Sequence, residues 1–181
     1  MLLLILGVAL WTGAHLLKRL APDARANLGD KGQGIIAVAL LASVVLMVVG
    51  YRMADTAFLW GRHPATVGIN NLLMLFAIYF FAASGMKTMM GQRMRHPQLI
   101  GFKTWALAHL LVNGDLASIV LFGGLLAWAV VEVIVINKQS SWTKPAAKVD
   151  MKKEVIAVVA SLVLYGVIVG IHYALGYPAF G

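Results

Sequence analysis

The chain predicts an all-α, polytopic membrane bundle, on three observations. Hydrophobic residues fill 61% of its 181 positions and charged residues only 12%, for a mean hydropathy of +0.85, which a water-soluble domain does not carry. The apolar residues form long continuous runs, where a transmembrane barrel would show short alternating strands. The 15 Lys and Arg gather almost entirely in the gaps between those runs. A hydrocarbon core about 30 Å thick takes roughly 20 apolar residues per helical crossing. Backbone in lipid must also satisfy its hydrogen bonds internally, which selects helices. The expectation is a single transmembrane domain over residues 1–181 with six transmembrane helices.

The first helix is expected over residues 2–17. It resembles a signal peptide in hydropathy, but its charges, Lys18 and Arg19, follow the apolar part instead of preceding it, so it reads as a retained helix. A polar connector at 18–33 leads to a second helix at 34–51, and a lightly charged connector at 52–64 to a third at 67–85. His96-Pro97 suits a helix start, because proline restricts the residue before it and is tolerated in the first turn. The stretch 99–136 is too long for one crossing, and Asn113-Gly114-Asp115 interrupts it as a turn. That division gives a fourth helix at 99–112, only about 21 Å long, and a fifth at 116–136. The short fourth segment fits either a tilted crossing or a re-entrant one. After a polar connector at 137–153, a sixth helix is expected over 154–173.

Basic residues orient this arrangement. The connectors at 18–33, 87–103 and 138–153 carry four, four and five Lys or Arg, against two at 52–64 and none at 113–115 or after Tyr173. Six crossings place all three rich connectors in the cytoplasm and both termini outside, in a multi-pass protein. The net charge of +8 is explained by the same bias, and no RNA- or DNA-binding motif accompanies it, so no nucleic-acid partner is expected. Cysteine is absent, which excludes disulfides, thiolate ligation and a cysteine nucleophile. The glycines at 91 and 101 lack the spacing and preceding strand of a nucleotide-binding loop. Small residues at Gly123-Gly124, Ser161, Gly166 and Gly170 suit close packing between helices, within the chain or in a homo-oligomer.

The polar residues left inside apolar runs carry the functional information. Trp105, His109 and Asn113 are spaced by four and line one face of the fourth helix; Trp11 and His15 repeat the aromatic–histidine spacing on the first. Neutral imidazole is a good axial ligand, and two from separate helices can hold a haem, so His15 and His109 form the first-choice iron pair. The plain alternative for His15 is amphipathic packing one turn before the basic interface. His96 sits in Arg93-Met94-Arg95-His96-Pro97, where Arg93 and Arg95 suit a propionate or phosphate clamp, or simply anchor a helix at the headgroups. Asp115 fits a turn residue or a group that orients a ligand histidine, and needs a partner if it lies in the membrane. His63 and His172 fall on the opposite side with no third metal ligand evident.

The run Arg95-His96-Pro97-Gln98-Leu99-Ile100-Gly101, followed by Trp105-Ala106-Leu107-Ala108-His109-Leu110-Leu111-Val112-Asn113-Gly114-Asp115, resembles the signature of the NnrU family of bacterial membrane proteins. Leu121-Phe122-Gly123-Gly124, Trp128 and His15 fit as well, so the resemblance covers essentially the whole chain. That family is associated with denitrification and nitric-oxide metabolism. It is similar to 15-cis-zeta-carotene isomerase of plants and cyanobacteria, a haem-dependent membrane enzyme. The resemblance implies haem b as cofactor, priority for His15, His96 and His109, the bacterial inner membrane as location, and a nitric-oxide or nitrite reductase system as partner. It implies no carotenoid substrate. Two other classes stay open: a protein supporting assembly of a respiratory complex, and a methyltransferase using S-adenosylmethionine on a lipophilic substrate. The latter rests on His96-Pro97 and Gly101, which are similar to a segment of small membrane methyltransferases. The acidic pair those enzymes carry near the C-terminus is missing here.

Overall fold

The computed structural model describes residues 1–146 and 148–180. In chain order, α1 (Leu2–Leu20) and the short α2 (Pro22–Ala26) lead through a 3-10 turn at Gly29–Lys31 into α3 (Gly32–Arg52). A three-residue strand, β1 (Phe58–Trp60), precedes α4 (Pro64–Met86), the short α5 (Met89–Arg93) and α6 (Pro97–Val112). The two-residue β2 (Gly114–Asp115) then opens α7 (Leu116–Ser118), which continues through a π-helical turn at Ile119–Gly123 into α8 (Gly124–Gln139). The chain closes with α9 (Met151–Ala174).

The helical membrane class holds, but the expected six crossings do not match in number. Among the described residues five helical stretches are long and apolar enough to span: Leu2–Leu20, Gly29–Arg52, Pro64–Met86, Leu116–Gln139 and Met151–Ala174. The missing one is α6, whose 16 residues rise only about 24 Å, short of an untilted crossing. Its start at Pro97 is the expected one, with His96 at the cap position. The long helices present bare apolar side chains outward, with Leu41 66% and Val163 62% exposed. In water such surfaces would aggregate; against acyl chains they are the required finish.

The chain divides into two compact units: Met1–Trp60 with Gly114–Gln139, and Gly61–Asn113 with the chain from Ser140 onward. In the first unit α1 packs on α3 through glycine. A Cβ on Gly7 would meet Met47 and the Ser43 carbonyl, and one on Gly50 would meet the Leu4 backbone. Leu4 and Ser43 are sealed between the helices at 0% exposure. Gly124 gives α8 the same closeness to Val8 of α1. Gly166 and Gly170 of α9, expected at a packing seam, have nothing within 4 Å of a built Cβ.

The 113–115 turn is more structured than a loop. Gly114 and Asp115 pair antiparallel with Trp60 and Phe58, and a Cβ on Gly114 would overlap the Trp60 carbonyl and indole. Glycine is required there because a main chain and an indole occupy the space of a side chain.

In the second unit α4 packs against both α6 and α9. Gly101 lets α6 press onto the Ala77 carbonyl and Phe81. The Met89 N–H donates to Glu154 Oε1 at 2.6 Å, fixing the head of α9 beside α5. At the other end of the unit, Arg62 donates to the carbonyls of Pro178 and Ala179 at 2.8 and 3.2 Å, folding the tail back.

Candidate functional site

His15 sits on α1 between two indoles. Its ring centroid lies 4.3 Å from Trp11 and 4.5 Å from Trp128, and the two tryptophans meet edge-on at 5.4 Å. Trp128 comes from α8 and is only 5% exposed. His15 Nδ1 lies 3.0 Å from the Trp11 carbonyl oxygen, four residues back. A carbonyl oxygen can only accept, so Nδ1 carries the proton and donates. The neutral imidazole then has its basic lone pair on Nε2.

His109, in the second unit, repeats the arrangement. Its Nδ1 donates to the Trp105 carbonyl at 3.1 Å, and the two rings are 5.2 Å apart. Asn113 Nδ2 donates to the His109 carbonyl at 2.9 Å, so the expected Trp105–His109–Asn113 face is a connected ladder that also closes the C-terminal turn of α6. The sequence does not reveal that His172 of α9 lies within electrostatic reach of His109. His172 is tied in the same way, Nδ1 donating to the Ile168 carbonyl at 2.8 Å. His63 is a helix cap: Nδ1 accepts from the Ala65 N–H at 3.3 Å, with Thr66 completing a capping box.

His96 opens α6, 13 residues and about 20 Å of helix from His109. Arg95 beside it donates Nη2 to the Ser140 carbonyl at 2.6 Å and to its hydroxyl at 3.0 Å, and Arg93 is exposed at the end of α5. Among the described residues no group of three or more His, Cys, Asp or Glu is gathered to hold a metal ion, so a protein-only metal centre has no ligand set there. A haem iron needs only axial ligands from the chain.

Asp115 lies at the centre of a polar knot in the first unit, just ahead of the span Leu116–Gln139. Its carboxylate accepts from the Ser118 N–H at 2.8 Å and the Ser118 hydroxyl at 2.6 Å, and from Thr56 at 3.4 Å. Tyr51 Oη is 2.8 Å from Ser118 Oγ. Desolvation pulls the Asp115 carboxyl upward, but the bonds from Ser118, its own backbone and Thr56 together outweigh it and hold the group below its ordinary value. This is N-cap chemistry. Asp115 closes the first turn of α7, and Tyr51 and Thr56 brace the cap from the end of α3 and the segment beyond it.

A model of the family described as NnrU protein matches residues 3–179. No curated protein and no solved structure matches the chain.

Proposed function

Because the chain belongs to the NnrU family over nearly its whole length, we propose that it is a haem-b-binding protein of the bacterial inner membrane with a role in nitric-oxide or denitrification metabolism. Family membership suggests the metabolic setting. The haem assignment rests on one observation: His15 and His109 both donate Nδ1–H to the carbonyl of a tryptophan four residues earlier.

Each histidine, taken within its own unit, has chemistry that supports this reading. Ligation at iron takes an imidazole nitrogen lone pair, and a hydrogen bond from the other ring nitrogen fixes the tautomer, orients the ring and raises its basicity. On a helix, a carbonyl four residues back is a fixed acceptor that rotates with the helix itself. Bound haem would supply redox or small-gas chemistry at its iron. The chain's own contribution is to hold two imidazoles in one tautomer, to pack the His15 ring between Trp11 and Trp128, and to keep water away with apolar helices. Trp105 and Asn113 do the corresponding work around His109, one bonding the ring and the other closing the helix turn beneath it.

The test is purification in mild detergent after haem-sufficient expression, followed by a pyridine haemochrome assay. Haem b in the purified protein supports the reading, and its absence contradicts it. His15→Ala and His109→Ala should each disrupt the low-spin spectrum; a variant with an unchanged spectrum removes that residue from the ligand set.

A further inference from the structure

A cleft of about 710 Å³ opens where α4 ends and α9 begins, lined by Lys87, Lys148, Lys152 and Lys153 together with Gln92 and Asp150. Its walls are tied together. Gln92 Nε2 donates to the Lys87 carbonyl at 2.7 Å and to the Lys148 carbonyl at 3.3 Å, bridging the end of α4 to the segment before α9. The one lining carboxylate, Asp150, spends Oδ1 on the N–H groups of Lys152 and Lys153 at 3.1 and 3.3 Å, and Oδ2 lies 3.7 Å from the Lys153 ammonium. The nearby Glu154 is engaged by the Met89 N–H. Four lysines therefore line the cleft against one aspartate that its own helix cap already engages, and the lining carries a surplus of positive charge.

The surface next to it is apolar. Directly after the lysines, α9 exposes Val155, Ile156, Val158, Val159, Leu162 and Val163. An anion recognised here would have its charge at the lysines and hydrocarbon beside it. We propose that the cleft holds the phosphate of an anionic phospholipid whose acyl chains lie along the outer face of α9. Lysine is suited to the task, being a compact, mobile point charge that meets a phosphate without a fixed fork geometry. Basic residues at the cytoplasmic end of a span attract anionic headgroups strongly enough for a few to be selective. Membrane topology alone explains lysines on that side. It does not explain four of them around one cleft whose walls are bridged by a glutamine. The inference is independent of haem binding.

The experiment is native mass spectrometry of the full chain from detergent micelles, titrated with phosphatidylglycerol or with phosphatidylcholine of the same acyl chains. The wild type is compared with K148Q/K152Q/K153Q and with K18Q/K31Q/K103Q, which removes equal charge outside the cleft. Circular dichroism confirms that both variants keep their helices. The wild type should prefer phosphatidylglycerol, the cleft variant should lose at least about tenfold in that affinity, and the control should keep it. The wild-type preference should also fall as salt rises. Equal binding of the two lipids, an equal loss in the control, or a preference insensitive to salt overturns the proposal. Inorganic phosphate is the third probe: saturable phosphate binding without phosphatidylglycerol enrichment overturns the lipid assignment in favour of a soluble anion.

Discussion

His15 and His109 share a local geometry and differ in what surrounds it. Each follows a tryptophan by four residues and bonds that tryptophan's carbonyl through Nδ1. His15 is then gripped from outside its own helix by Trp128, so its position depends on α1 and α8 staying together. His109 stacks near Trp105 of its own helix, and Trp105 in turn near Phe102, while His172 of α9 lies within electrostatic reach of it. The helix's own carbonyl fixes the tautomer; tertiary packing decides what else lies near the ring.

Removing the indoles should expose that difference. Trp128→Ala opens a cavity against both Trp11 and His15, and a buried tryptophan truncation costs about 3–5 kcal/mol. Trp105→Ala removes a partly exposed ring, and the carbonyl acceptor stays in place because it is backbone; about 1–2 kcal/mol is expected. Thermal denaturation in detergent should rank the two in that order. The reverse order would mean that the aromatic pair on α6 carries more of the packing than its exposure indicates.

Glycine substitutions sharpen the contrast between contacts made inside the chain and surfaces left open. Gly114→Ala in the first unit forces a methyl into the Trp60 carbonyl and ring, and should cost about 1–3 kcal/mol. Gly166→Ala in the second unit meets nothing within 4 Å, and should range from neutral to about 1 kcal/mol stabilising through helix propensity. Equal melting shifts for the two would contradict the tight approach at Gly114.

Asp115→Ala should cost about 1 kcal/mol by removing the cap of α7, and its pH dependence has a definite sign. The folded carboxyl sits below its ordinary value of 3.8. Its stabilisation is therefore complete above that value and is lost as pH falls through the lower folded one. The melting difference between wild type and Asp115→Ala should stay constant from neutral pH down to about pH 5 and shrink only in stronger acid. A difference that closes between pH 7 and pH 5 would show that another group controls the cap.

Local features were legible before the structure. Pro97 starts its helix, and the four-residue spacing of Trp105, His109 and Asn113 becomes a hydrogen-bonded ladder. These follow from helical periodicity and need no knowledge of which helices touch. The contacts of Trp128 with His15 and of Gly114 with Trp60, and the electrostatic reach of His172 to His109, join residues more than fifty positions apart. Nothing in the spacing of one helix encodes them. The count differs at one place, the segment at 99–112 whose shortness the sequence already showed: its helix has 16 residues, below the length of an untilted crossing.

The most direct test of the central claim is chemical rescue of the two histidines. His15→Gly and His109→Gly, purified beside the wild type, remove the imidazole and keep the tryptophan carbonyl that orients it. The wild type should carry stoichiometric low-spin haem b. Each variant should lose that spectrum and recover it when imidazole is added. Wild-type protein free of haem after haem-sufficient expression, or glycine variants whose spectra match the wild type without imidazole, would contradict the account.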